Sequence, residues 1–473
     1  MKIAVCVRIT PGGDVGPFDE AALEAALNVP GAEVSVVSMA PASASDSLLR
    51  LTRLGVKEAY LLSDPAFIGS DTLATGYILS EALKKLSPDY IFCGRKTLVG
   101  DTGQVGVGIA ARLGIPVFSG IMGLSSEKEG LTVTDRSGSM KAVPSPAVLI
   151  FERIFRLRAP GIFSVPGQVK TLSASDLSLD ISRCGDAGSP TRVVSSRAGI
   201  PERRHCRFIS PEDFTDVVGK LLASPRKAVE KEKAAGEKLP LVFAVGDLVA
   251  DEAKSIADEV IVTDLLPARE LKALIEEKKP SAVLFDSTPA AKETAAELVV
   301  LLETGLCADA IGLDVSDGTL LITRPAFAGD VIATIISLRS PALATMRTAE
   351  ESSSPVILSC GTGTKNCLGE VKKLACKLGA EVTASRAAVD AGLFPYSAQV
   401  GLTGRTVTPR IYVAVGISGA VHHMAGCRTA ETVIAVNPDR NAPIFDGADY
   451  GIVTTAENFC EIILRSVQTE KGV

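Results

Sequence analysis

Tryptophan is absent from this sequence and all aromatics together make up 4% of it, so the interior must be filled by Val, Leu, Ile and Ala. Side chains of that kind suit strands buried on both faces, as in parallel α/β sheets. Histidine is nearly as scarce, with only His205, His422 and His423 in the chain. None of them accompanies a Gly-x-Ser-x-Gly nucleophile elbow, which sets a Ser/His/Asp hydrolase aside. Apolar runs such as Leu298–Leu302 are far too short to span a bilayer. Met1–Arg8 offers one Lys and a short apolar run, too little for the core of a signal peptide. A cytoplasmic protein that does not span a membrane is therefore expected. No basic block dominates a net charge of −6, which argues against nucleic acid as a partner. The ten cysteines contain no Cys-x-x-Cys, and Cys360, Cys367 and Cys376 match neither zinc nor iron–sulfur spacing. Buried free thiols are expected, with no metal and no structural disulfide.

What is present is an ordinary globular composition, 46% hydrophobic and 22% charged, over 473 residues, enough for about three domains. Lys2–Val7 is uniformly apolar and predicts a buried strand. Asp19 can cap a helix through Ala21–Leu27, rich in Ala, Leu and Glu. Strands are predicted again at Val34–Ser38, Ala59–Ser63 and Tyr90–Cys93, with helices at Ser45–Leu54 and Thr72–Leu86. That alternation is the spacing of a doubly wound parallel sheet. After Tyr90–Cys93 come Gly94-Arg95-Lys96 and then Gly100-Asp101-Thr102-Gly103-Gln104-Val105-Gly106, opening a helix. A polar glycine turn between strand and helix is where nucleotides bind, although a helix start capped by Asp101 or Thr102 would look the same.

Residues 183–207 gather Arg and Ser, and Glu230-Lys231-Glu232-Lys233 reads as a solvated helix or linker. The α/β pattern restarts at Leu241–Val245, with strands near Val260–Val262 and Ala282–Phe285. Ala111–Gly114 leading to Gly123-Leu124 echoes Leu301–Gly305 leading to Gly312-Leu313, as two related nucleotide folds packed face to face would.

The densest stretch lies between Ser385 and Gly451. Gly392, Gly401, Gly404, Gly416, Gly419 and Gly426 alternate there with Ser, Thr, Arg and His. The apolar run Ile411–Val415 ends directly in Gly416-Ile417-Ser418-Gly419, with a helix expected just beyond. Bare backbone N–H groups and a helix N-terminus in that order suit an anion. Pro355–Leu358, Thr432–Val436 and Gly451–Val453 would add parallel strands around one ligand crevice.

Ser385-Arg386-Ala387-Ala388-Val389-Asp390-Ala391-Gly392, Gln399-Val400-Gly401-Leu402-Thr403-Gly404, Gly416-Ile417-Ser418-Gly419-Ala420 followed by His423, and Ala448-Asp449-Tyr450-Gly451 occur in order. With Asn437, Asp439 and Ala442–Phe445 between the last two, they resemble the FAD-binding domain of electron-transfer flavoprotein α subunits. Phe18-Asp19-Glu20, Gly69–Ala74, Gly100–Gly106 and Gly188–Val193 resemble the β subunit of the same family, so two subunits look fused in β–α order.

The resemblance implies an α/β protein: two related, doubly wound, adenine nucleotide hydrolase-like domains and a C-terminal Rossmann-like FAD-binding domain with a parallel sheet. It divides the chain into residues 1–194 (β-like), 195–238 (linker or C-terminal arm), 239–348 (α-like N-terminal) and 349–473 (FAD-binding). Thr323–Gly329 and Ala344–Arg347 match the end of the α subunit's first domain, and Ala349–Pro355 is expected to act as a hinge. For the FAD site it implies Gly361, Gly363, Ser385, Arg386, Gln399, Val400, Gly401, Thr403, Gly404, Ser418, Gly419, Ala420, His422, His423, Asn437 and Asp449. Arg386 would lie over the flavin, His423 would face its C2 oxygen and Thr403 would bond N5; the rival reading of Arg386 is a surface salt bridge to Asp390 at i+4.

Cys6, Met39, Asp101, Thr102, Gly103, Gln104, Val105 and Gly106 would hold a second nucleotide, AMP or a second FAD. The Gly-Asp-Thr-x-Gln-Val-Gly form is closer to the electron-bifurcating branch, yet Val99 replaces that pattern's Asp and Val107 its Pro. Thr362 stands where the family's first glycine loop carries Arg, so weaker FAD retention is expected. The implied activity is electron carriage from an acyl-CoA dehydrogenase-like or other flavin dehydrogenase to a quinone oxidoreductase or iron–sulfur protein, without stand-alone catalysis. Its rivals are a two-FAD bifurcating module oxidising NADH and an adenine-nucleotide-binding regulator without redox work. A partner-docking loop is expected near Arg158–Thr171.

Overall fold

A computed structural model describes residues 1–469 apart from 11, 98–99, 101, 128–129, 154, 199–203, 226–235, 327–330, 348–353 and 402–403. The chain forms two units: Met1–Arg197 with Ala234–Phe327 and Ile332–Thr348, and Ala198–Lys233 with Ala328–Val331 and Ala349–Val473. The expected hinge at 349–355 falls mostly outside the described residues.

In the first unit, β1 (Lys2–Cys6), β2 (Glu33–Met39), β3 (Glu58–Leu62), β4 (Tyr90–Gly94), β5 (Val117–Glu127), β6 (Gly130–Asp135), β7 (Met140–Val143), β8 (Ala147–Phe151) and β9 (Gln168–Leu172) make one sheet. Its order is β7-β6-β5-β8-β4-β1-β2-β3-β9, parallel except for the β5-β6-β7 hairpins at one edge. β10 (Thr191–Ala198) lies in a small separate sheet, and β11 (Arg207–Phe208) belongs to the second unit. A second parallel sheet holds β12 (Leu239–Val245), β13 (Ala257–Thr263), β14 (Ala282–Phe285) and β15 (Leu306–Ala310). β16 (Gly312–Ser316), β17 (Thr319–Ala326) and β18 (Val331–Ser337) join β10, and β19 (Ala342–Met346) returns between β14 and β15.

The order β13-β12-β14-β19-β15 repeats β2-β1-β4-β8-β5 strand for strand. The sequence echo is thus a structural repeat. The helices Val105–Leu113 and Pro289–Leu302, which carry that echo, pack so closely that a Cβ on Gly108 would touch Val300 at 3.7 Å. One apolar core joins both repeats, containing Ile78, Ile109, Leu271, Ala295 and Leu298. Each such buried aliphatic contributes about 1.5–3 kcal/mol by leaving water.

The second unit is a six-stranded, wholly parallel sheet. β20 (Val356–Cys360), β21 (Glu381–Ala384), β22 (Ile411–Val415), β23 (Thr432–Val436) and β24 (Tyr450–Ile452) join β11 in the order β11-β24-β23-β22-β20-β21. The stretch expected as linker or arm therefore supplies an edge strand here. It also supplies the helix Phe214–Ala223, whose Phe214 ring meets Phe459 edge-on at 5.0 Å. Arg410 fixes that helix by donating to the carbonyls of Leu221 (2.7 Å), Leu222 (3.0 Å) and Ser224 (2.6 Å). These carbonyls are ones a helix end leaves without an internal partner.

All ten cysteines are free, and Cys376 alone among them is exposed. No cluster able to hold a metal ion occurs among the described residues. Among the same residues, no helix is long and apolar enough to cross a membrane.

Candidate functional site

Parallel pairing brings every strand end of the second unit to one edge. Cys360 is in register with Ala384 and Val415, Val415 with Val436, and Val436 with Ile452. The residues one step further, Gly361, Ser385, Gly416 and Asn437, are consequently neighbours. These are turns that the sequence marked, and they interlock. A Cβ on Gly361 would fall 1.8 Å from the Gly416 carbonyl oxygen, and Gly416 itself holds φ +64°. Only glycine fits both demands. Gly419 lies against Ile444, Gly404 against the Gln399 carbonyl, and Gly426 against Gly401. Val400 donates its N–H to the Ala384 carbonyl (2.9 Å), tying the Gln399–Gly404 turn to the end of β21. Asn437 donates to the Ile417 carbonyl (2.9 Å) and accepts from the Asp439 N–H (2.9 Å), locking two of the turns together.

Ser385 caps the short helix Arg386–Asp390 by accepting from the Ala388 N–H. Arg386 Nε lies 3.3 Å from Asp390 Oδ2, so the surface pairing expected as its rival role is present. Ser418 and Ala420 are exposed on the Gly416–Gly419 turn. The helix after that turn, Val421–Cys427, has seven residues. Asp449 pairs with Arg204 and accepts from the Val433 N–H (2.7 Å), which occupies one carboxylate oxygen with the chain itself. Thr403 and the His422 side chain lie outside the described residues.

His423 is buried, and Nε2 lies 3.0 Å from Tyr412 Oη. Its Nδ1 has no partner of hydrogen-bonding geometry, and burial brings its pKa down to about 4, the Val400 backbone opposing weakly. An unmet buried nitrogen beside a cradle of bare backbone fits a flavin dinucleotide, which needs neutral donors at the ring and N–H groups at the phosphates. Gly361, Gly363, Ser385, Gln399–Gly401, Gly404, Ser418–Ala420 and Asn437 belong to these turns, and His423 to the helix that follows the Gly416–Gly419 turn. Tyr412 escaped sequence reasoning because Ile411–Val415 reads as a uniformly buried strand.

The second predicted loop sits in the first unit at the carboxyl ends of β1, β2 and β4. Cys6 and Cys93 are in register there, and Met39 ends β2. Gly103 takes φ +68°, and a Cβ on Gly106 would come 2.8 Å from Ile150 Cδ1. Gln104 accepts from Thr72 Oγ1 (2.7 Å) and donates to the Leu306 carbonyl (3.3 Å), so its amide braces the loop between the two repeats. Thr102 is half-buried, Val105 and Gly106 begin the helix, and Asp101 lies outside the described residues. Arg8 is a cation that sequence reasoning passed over: its Nη1 would be 3.6 Å from a Cβ on Gly100. The signal was its place directly after a buried strand.

Comparison with known proteins follows the same division. The model of the electron transfer flavoprotein domain matches residues 3–149 and 232–374, and that of the electron transfer flavoprotein FAD-binding domain matches 352–428. The α subunit of electron transfer flavoprotein from Thermoanaerobacterium thermosaccharolyticum is 32% identical over 54% of this chain and 94% of its own length. The β subunit from the same organism is 37% identical over 40% of this chain and 77% of its own length. The acryloyl-CoA reductase electron transfer subunit beta of Anaerotignum propionicum is 31% identical over 53% of this chain and 91% of its own.

Proposed function

This chain belongs to the electron transfer flavoprotein family, with β-like and α-like halves in one polypeptide, and from that premise we propose that it carries electrons between a flavin dehydrogenase and a second redox protein. The observation that carries this reading is the glycine cradle with an unmet imidazole nitrogen at the sheet edge of the second unit. When bound, FAD supplies a redox centre that takes up and returns electrons. The glycines at Gly361, Gly363 and Gly416 would let its pyrophosphate approach the backbone; their own N–H groups donate to the carbonyls of Val415, Gly416 and Val436, so the N–H groups of Ile417, Ser418 and Gly419 would be the donors offered to the phosphates. Arg386 would place positive charge beside the ring, His423 a neutral donor, and Thr403 a hydroxyl. Ser385, Gln399, Ser418, Asn437 and Asp449 would hold the rest of the dinucleotide.

The loop Gly100–Gly106 would take AMP, leaving one FAD per chain. Its Gly-Asp-Thr-x-Gln-Val-Gly form favours a second reading, in which this loop holds a second FAD and the protein bifurcates electrons from NADH. The donor would be of the acyl-CoA dehydrogenase type, the acceptor a quinone oxidoreductase or an iron–sulfur protein, and the setting the cytoplasm. Docking is supported by Ile162, Phe163 and Val165, which are 90%, 94% and 81% exposed at the end of a loop anchored by Arg158 on Glu24 (2.8 Å). An exposed apolar cluster on a rigid base is the form of a partner contact.

Denaturing the purified protein and quantifying released FAD and AMP by chromatography tests the proposal. One FAD and one AMP per chain support the simple carrier. Two FAD without AMP support bifurcation. No flavin, even after reconstitution with FAD, overturns both.

A further inference from the structure

Tyr412 heads the fully buried side chains by size, and it carries a hydroxyl where Phe would fill the same space. A buried phenol must find partners, or its desolvation destabilises the fold. One partner is His423, with Oη 3.0 Å from Nε2 and ring centroids 6.0 Å apart. The others follow from strand register. Ser359 pairs with Thr383 on one side and Ala414 on the other, and Ala414 is two residues from Tyr412. Ser359, Thr383 and Tyr412 therefore share one face of the sheet. The Ser359 and Thr383 hydroxyls lie beside the phenol without a well-formed hydrogen bond to any group, and the Cys427 thiol, which donates to the His423 and Met424 carbonyls, borders it as well.

Counting donors sets the direction of this network. A phenol oxygen has lone pairs to accept with and one hydrogen to donate. Ser359 and Thr383 both need an acceptor for their hydrogens, and the phenol oxygen is the group beside them. With those two hydrogens turned toward its lone pairs, Tyr412 gives its own hydrogen to His423 Nε2, its well-formed partner at 3.0 Å. Burial holds the phenol well above its usual range, so that hydrogen stays on it. An imidazole that accepts at Nε2 carries its own proton at Nδ1.

We propose that Tyr412, backed by Ser359 and Thr383, is a positioning residue that fixes His423 as the Nδ1–H tautomer and so makes it a neutral hydrogen-bond donor toward the flavin. Nδ1 is the nitrogen for which the chain offers no well-formed partner. The Val400 backbone, beside Gly401 in the same cradle, also favours a proton on the ring. Donation at the electron-rich edge of a flavin favours its reduced form. The inference rests on the proposed FAD site, but its first arm does not need FAD.

The test is side-chain 15N NMR on the FAD-free protein, where three histidines make assignment simple through His205→Gln and His422→Gln. The wild type is expected to show an unprotonated Nε2 and a protonated Nδ1. Tyr412→Phe should move the proton to Nε2 or split it between the nitrogens. Ser359→Ala with Thr383→Val should do so in part while leaving Tyr412 in place, which guards against a fold-damaged Tyr412→Phe. In FAD-loaded protein, Tyr412→Phe should lower the preference for reduced over oxidised FAD about tenfold, or about 30 mV for a two-electron couple. A wild-type ring protonated at Nε2, or variants that lose only thermal stability while the 15N pattern and the potential stay fixed, would overturn the proposal. A tautomer that responds in a protein unable to bind FAD would sink the cofactor reading and the donor role with it, leaving the network itself standing.

Discussion

Among the buried titratable side chains beneath the glycine turns, Asp19 in the first unit and His423 in the second are of opposite kind. Asp19 accepts from the backbone N–H groups of Arg8 (2.9 Å) and Gly94. Those residues follow and end the paired strands β1 and β4, so the carboxylate clamps the two strand ends together. Burial pushes its pKa up to about 7, against the pull of those hydrogen bonds and of Arg8. His423 is held neutral by burial, with a pKa of about 4. Asp19 has both of its roles filled by the chain and belongs to the frame of its loop. His423 has one well-formed partner, Tyr412, and at its other nitrogen only the Val400 backbone, short of hydrogen-bonding geometry. A group that is fully partnered builds a site, and one left half-partnered serves it.

The sharpest way to break this contrast is with glycine. Gly361→Ala would drive a methyl into the backbone of Gly416, and retained FAD is expected to fall at least 100-fold, read as flavin remaining after gel filtration. Gly106→Ala meets side chains rather than backbone, Ile150 at Cδ1 (2.8 Å) and Cγ1 (3.1 Å) and Cys93 Cβ (3.4 Å), and should cost about 1–3 kcal/mol with the second nucleotide still bound. Equal losses from the two would mean that both cradles are equally rigid.

Acid should separate the units next. The folded pKa of His423 lies below its ordinary 6.5, so the unfolded ring takes a proton first. Its contribution to stability is full above 6.5 and is lost as pH falls towards 4, by about 2 kcal/mol at pH 5. For Asp19 the folded value lies above the ordinary 3.8, so its burdened carboxylate weakens the first unit at and above pH 7 and is relieved as pH falls. Hydrogen exchange resolved by unit, at pH 7.5 and pH 5, should show protection dropping in the second unit and holding or rising in the first. Asp19→Asn should remove the first unit's gain. Parallel loss in both units would erase the distinction.

Smaller effects concern what only the second unit has. Arg410→Lys cannot reach three carbonyls at once, and about 1–2 kcal/mol of docking for the helix Phe214–Ala223 should be lost, seen as faster limited proteolysis there. Thr362, exposed at the cradle's rim, is expected to slow FAD release roughly fivefold when changed to Arg, measured by stopped-flow transfer to an apoflavoprotein. An unchanged or faster release would show that the backbone alone meets the phosphates.

The sheets were readable because their strands are apolar throughout: Lys2–Cys6, Tyr90–Gly94, Ile411–Val415 and Thr432–Val436 announce burial on both faces. The cradle was readable because bare backbone demands glycine, and glycine leaves a mark in any sequence. What stayed hidden depends on distant partners. Residues 204–224 look like a polar connector, since the groups that hold them, Arg410 and Asp449, lie far along the chain. The docked face of the helix Phe214–Ala223 is carried by Phe214 and Val218, with Val217, Leu221 and Leu222 partly buried beside them, a face whose partners lie more than a hundred residues further on. Tyr412 was concealed by its own strand, where a phenol and a phenyl ring satisfy the same pattern. Its hydroxyl matters only once register places Ser359 and Thr383 beside it. The helix expected just beyond Gly419 is present as Val421–Cys427.

The arm that completes the second unit also sets a schedule. Arg204 precedes its partner Asp449 by 245 residues. A ribosome adding about 5–20 residues per second needs roughly 12–50 seconds to cover that distance. For most of that interval β11 and the helix Phe214–Ala223 have no sheet to join, and the Phe214 ring waits for Phe459. The first unit's leading repeat can meanwhile close on itself. In the newborn chain the arm is therefore an early-made part with a late destination, and the charged and hydroxyl side chains that disguise it as a connector are what keep it in solution until its partner strands arrive.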